Sequence, residues 1–150
     1  MGLFSFFTKD SGEKSTGMTD EAKAALMTKL IEKYNLGVEG LKVEVVGEKA
    51  SVWGSVEKQS TKEKIVLAVG NVQGISEVDD FLAVKEDDTV EKETESKFYT
   101  VKKGDSLSKI SKEVYGDAMK YKSIFEANKP MLKDVNLIYP GQVLRIPELG

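Results

Sequence analysis

The chain of 150 residues has no cysteine and no histidine. Lack of cysteine excludes disulfides, thiolate chemistry and cysteine-based metal sites. Lack of histidine removes the commonest general base and the commonest transition-metal ligand. Ser-His-Asp and Cys-His catalysis are therefore excluded. Nothing places two carboxylates across a cleft, so an enzyme is not expected. No run is apolar for long enough to span a bilayer. The net charge is −3, without the clustered basic face that phosphate binding requires, which argues against nucleic acid. What remains open is a cation site built from oxygen.

The N-terminus, "MGLFSFFTKDSGEK", has an apolar run only over residues 3–7. It lacks a preceding basic residue and a small-residue cleavage site, so a signal peptide is not expected. Phe6 stands where the myristoylation pattern wants Ser or Thr. A cytoplasmic protein is expected, and a monomer.

Residues 85–97, "KEDDTVEKETESK", contain one apolar residue, Val90. Such a stretch buries nothing and reads as a solvated linker. It divides the chain into an N-terminal segment (1–17), a first domain (18–84), the linker (85–97) and a second domain (98–150). In the first domain, Thr19 or Asp20 caps a helix whose apolar residues recur at steps of three and four, from Ala22 through Met27 and Ile31 to Tyr34. Leu41, Val43 and Val45, then Ala50, Val52, Gly54 and Val56, alternate with polar residues around a Gly47-Glu48-Lys49 turn, which predicts a hairpin with one buried face. Trp53 falls on its outward parity, where it either binds a ligand or covers a core edge. Ser60, with Glu63 closing a capping box, opens a second helix. "ISEVDDFLAV" supplies a last strand.

The second domain begins with the strand "KFYTV" and turns at Lys103-Gly104. Asp105 or Ser106 caps a helix carrying Leu107, Ile110 and Val114, and Gly116 ends it. A helix over 118–127, a Pro140-Gly141 turn and a strand over 143–146 complete it. The whole chain is predicted to be α+β, a small αββαβ unit followed by a βααβ unit.

The first order, with "GNVQGISEVDDFLAV" after its second helix, resembles the BON domain, a family of binding modules. "YTVKKGDSLSKISKEVYG", "IFEANKP" and "IYPGQVLRIP" resemble the LysM domain, whose members bind N-acetylglucosamine polymers. That resemblance implies a sugar groove between Gly104, Asp105, Ser106 and Leu107 on one side and Ile138, Tyr139 and Pro140 on the other. The same residues have structural roles as cap, turn and core whether or not a sugar binds. A BON domain, a charged linker and a C-terminal LysM domain together, with "MGLF" and "LAVGNVQGI", resemble the bacterial potassium-binding protein family. This implies reversible binding of potassium and a more compact bound state.

The residues can perform that chemistry. Potassium is large and weakly hydrated, and backbone carbonyls can replace its water shell. In "AVGNVQGI", residues 68–75, the last carbonyls of a helix lack intrahelical partners and carry the negative end of the macrodipole. Gly70 and Gly74 permit the backbone angles that turn carbonyls toward one point. The expected ligands are main-chain oxygens of Gly70, Val72 and Ile75. The N-terminal segment around Phe7 and Ser11 would close the site, anchored by Phe4, Phe6 and Phe7. Rubidium and caesium are expected to substitute, and sodium is not. Among the carboxylates of the last strand, Asp79 and Asp80 fall on opposite faces and cannot share one ion. Two alternatives stand beside this reading: a peptidoglycan-binding module, and a membrane-surface adaptor using the N-terminal phenylalanines.

Overall fold

The computed structural model describes residues 2–5, 18–72, 74–85 and 97–148. Helix α1 (Asp20–Tyr34) starts where the Thr19 hydroxyl accepts a hydrogen bond from Ala22 N at 3.1 Å. It ends where Asn35 enters the left-handed region at φ 51°. Met27, Leu30 and Ile31 are its buried face. Strands β2 (Glu39–Val46) and β3 (Lys49–Val56) form the expected hairpin, with Val46 opposite Lys49. Helix α2 (Gln59–Gly70) crosses from β3 to β4 (Glu77–Val84), which pairs with β3 in parallel. Inward residues of both helices and of β2, β3 and β4 share one core, including Ile31, Val52, Val56, Ile65 and Val78.

Two features depart from the sequence expectations. Ser60 does not cap α2, because the helix already starts at Gln59 behind Lys58, with no side-chain cap. Glu63 is instead buried and paired with Arg145, and thus serves packing against the second unit. Residues Gly2–Ser5 form a strand, β1, where none was predicted. Four residues are too few to show an alternation. β1 lies antiparallel on β4, with Phe4 opposite Val78 and Ser5 opposite Glu77, giving the order β1-β4-β3-β2.

On the outward face of the sheet Trp53 stacks on Phe81, with ring centroids 5.1 Å apart. The Lys42 ammonium sits 5.3 Å from the indole centroid. Trp53 thus packs on a neighbour on the outer face of the sheet.

The second unit pairs β5 (Lys97–Thr100) antiparallel with β6 (Val143–Ile146). Helix α3 (Leu107–Tyr115) is capped by the Ser106 hydroxyl, which accepts from Lys109 N at 3.2 Å. The stretch expected as one helix is a 3-10 turn, Ala118–Lys120, followed by α4 (Tyr121–Ala127). The Asp117 carboxylate accepts from Met119 N and holds that tight start. Val114, expected on the inner stripe of α3, is exposed. The core here contains Val101, Leu107, Ile110, Ile124, Leu132 and Leu144. The two units are not independent beads. Val143 of β6 is buried in the core of the first unit, and Phe98 packs against that core.

Candidate functional site

Helix α2 runs out at Gly70, and its end is bonded in a tightening pattern. Asn71 N donates to Leu67 O at 3.0 Å, and Val72 N to Val69 O at 3.2 Å. Ile75 N then donates to Val72 O at 3.2 Å, closing a turn that contains Gly74 at φ 94°. Only a residue without Cβ adopts that angle without strain, so Gly74 is a requirement of this turn. Val72 and Ile75 are fully buried and hold the loop from beneath. Ser76 N and Glu77 N both donate to Glu48 O, tying the loop exit to the β2–β3 turn. The structure thus brings Gly70, Val72 and Ile75 into one short turn at the negative end of α2. Phe6, Phe7 and Ser11 lie outside the described residues.

The second unit abuts this turn. Tyr139 directs its hydroxyl at Asn71 O, 3.5 Å away. The Asn71 side chain donates to Val143 O and accepts from Val143 N, both at 2.9 Å. About two turns earlier along α2, Glu63 accepts from Arg145 Nε at 3.0 Å in a buried ion pair. Arg145 also donates to Ala127 O at 2.8 Å, and Gln59 donates to Glu63 at 3.2 Å. A cleft of about 330 Å³ opens between the units, with Leu30, Leu67 and Met131 as apolar wall and Asn71, Tyr139 and Gln142 as polar wall.

Sequence reasoning missed Asn71, Glu63 and Arg145 as a set. Asn71 looked like an ordinary residue of a glycine turn. Arg145 did carry a signal: it is the only arginine in the chain and stands inside the apolar strand "VLRI". A lone arginine there needs a carboxylate partner, because a buried charge without one is costly.

Of the residues proposed for a sugar groove, Leu107 is buried in the second core and Ile138 packs against it. Val101 exchanges hydrogen bonds with Gly141 and Gln142, which sets the turn at Gly104 beside the loop at Ile138 and Pro140. The polar side chains of the set are engaged elsewhere. Asp105 accepts from Lys102 N at 2.9 Å and from the Tyr99 hydroxyl at 2.8 Å, and Ser106 caps α3. Leu107 belongs to the core, and Tyr139 faces the first unit.

Asp79 and Asp80 do point to opposite faces. Asp79 lies 3.7 Å from Lys49. Asp80 is fully buried, accepts from Leu82 N at 2.7 Å and lies 3.2 Å from the Lys62 ammonium. Among the described residues no group of three acidic side chains could hold a metal ion.

Residues 19–86 match the family model of the BON domain and residues 99–147 that of the LysM domain. Over 154 aligned residues, covering 99% of each chain, the sequence is 49% identical to the potassium binding protein Kbp of Escherichia coli. An uncharacterized protein of Deinococcus radiodurans is 51% identical over 57 residues, covering 38% of this chain and 22% of its own. The uncharacterized protein YqbP of Bacillus subtilis is 38% identical over 61 residues, covering 35% of this chain and 28% of its own.

Proposed function

The chain belongs to the Kbp family, and we propose that it is a cytoplasmic potassium-ion binder, a sensor or buffer rather than an enzyme. The observation that carries this reading is the near full-length similarity to a protein whose name states potassium binding. The turn after α2 is where we locate the ion, on main-chain oxygens of Gly70, Val72 and Ile75, with Phe7 and Ser11 closing the site. The dipole of α2 favours a cation at its C-terminal end. The buried side chains of Val72 and Ile75 support the loop geometry. Neutral carbonyls suit a large monovalent ion, whereas the nearby carboxylates of Asp79 and Asp80 are committed to Lys49 and Lys62.

Binding acts by population shift. Potassium favours the arrangement in which the N-terminal segment and the loop present a complete cage, and so makes the chain more compact. Isothermal titration with potassium, rubidium, caesium and sodium chlorides tests the reading. The larger three bind and sodium binds far more weakly; sodium affinity equal to that of potassium would refute it. Gly74→Val places a branched side chain at φ 94°. It weakens potassium affinity well beyond its effect on the thermal midpoint, and an unchanged affinity removes this turn from the site.

A further inference from the structure

Strand β6 has two edges. One pairs with β5. On the other, Val143 and Arg145, two residues apart, present their N–H and C=O groups to the same side. Each pair meets the side chain of an asparagine. Asn128, at the end of α4, accepts from Arg145 N at 2.8 Å and donates to Arg145 O at 3.0 Å. Asn71 makes the same two bonds to Val143, each 2.9 Å long. A primary amide offers a donor and an acceptor side by side, as a strand's main chain does. The LysM edge is therefore completed half by its own domain and half by the loop after α2.

We propose that Asn71 is a positioning residue for the cation site: clamped by LysM strand β6, it fixes the peptide groups on either side of it and so sets the spacing of the ligating carbonyls. The inference rests on the cation reading of that loop. Two bonds to one amide fix its plane as well as its position, and a side chain so held restrains its own backbone. The surroundings keep the clamp from loosening. Val143 is buried and Asn71 half-buried at the wall of the cleft, so the two bonds are partly sheltered from water and harder to exchange than exposed ones. Linkage makes the effect mutual: if docking shapes the loop for the ion, the ion strengthens docking by the same factor.

Isothermal titration of the full chain with potassium and sodium chlorides at constant ionic strength compares wild type with Asn71→Asp and Asn71→Ala. Asn71→Asp keeps the size and adds a negative charge beside the loop. Charge alone raises cation affinity. A broken clamp does the opposite, because a carboxylate repels Val143 O. We expect potassium affinity to fall about tenfold in both variants, with a smaller change for sodium, so that selectivity narrows. General destabilisation would weaken both ions alike. A second measurement uses only the wild type: the backbone amide resonance of Val143, far along the chain from the loop, shifts as potassium is added. An Asn71→Asp affinity equal to or above wild type, or a Val143 amide indifferent to saturating potassium, overturns the inference and leaves the cation reading standing. A wild-type chain that gives no heat and no shift with potassium overturns both.

Discussion

At Gly54 the inner side of β3 has no room for a methyl group. A Cβ built there meets Val38 Cγ2 at 2.7 Å and Glu39 O at 3.2 Å. The alternation of the strand marks Gly54 as inward, but the approach of residues 38 and 39 comes from the irregular start of β2, where the register shifts between Glu39 and Lys42. Gly54→Ala forces this contact open and destabilises the chain by about 1–3 kcal/mol, measured as a lower urea midpoint at unchanged slope. Asp80 shows the same division between what a pattern says and what packing adds. Its parity places it inside, and Leu82 N of its own strand bonds to it; that the Lys62 ammonium reaches it depends on where α2 lies. Asn71, whose side chain bonds to Val143 of the second unit, has no distinguishing pattern at all.

Among elements, β5, the turn after it and α3 are joined through one phenol. The Tyr99 hydroxyl bonds to Asp105 at 2.8 Å and to Glu113 at 3.2 Å. Partial burial, followed by the hydrogen bond and charge of Asp105 and then those of Glu113, holds its pKa well above the usual tyrosine value. The folded chain thus keeps Tyr99 protonated where the unfolded chain would ionise it. Its stabilising effect is complete below the unfolded pKa of about 10 and is lost as pH rises beyond that. Stability measured by denaturant titration is therefore expected to fall above about pH 10, and Tyr99→Phe to flatten that fall. The element boundaries in this region were mostly legible, because Ser106 and Gly116 are strong helix signals. β1 was not, since its strand character derives from pairing with β4 rather than from its own four residues.

At the scale of the whole molecule, the buried Glu63–Arg145 pair joins α2 to β6 across the two domains, with both side chains under 10% exposed. Removing one partner leaves the other charged and dry. Glu63→Leu is expected to cost about 3–5 kcal/mol, and the double variant Glu63→Leu, Arg145→Met to recover most of that loss. A double-mutant cycle by chemical denaturation checks both expectations; an additive pair would mean the two charges do not depend on each other. Since the pair lies on the docking surface, Glu63→Leu also separates the domains before either unfolds, seen as loss of amide protection at Val143 ahead of Val52.

From the sequence by itself came the absence of thiol and imidazole chemistry, the two small α+β units, nearly all helices and strands, and the glycine turn after α2. These follow from composition, periodicity and local backbone preference, which act over a few residues. Only the tertiary structure decided that β1 joins the first sheet, that the chain's one arginine meets Glu63, and that an asparagine of the loop completes the edge of a strand 72 positions on. Such contacts join polar groups far apart in sequence, each of which has an ordinary local role available. Their pairing is set by the burial of Val143 and Phe98 against the first core, a consequence of shape that no short stretch of residues encodes.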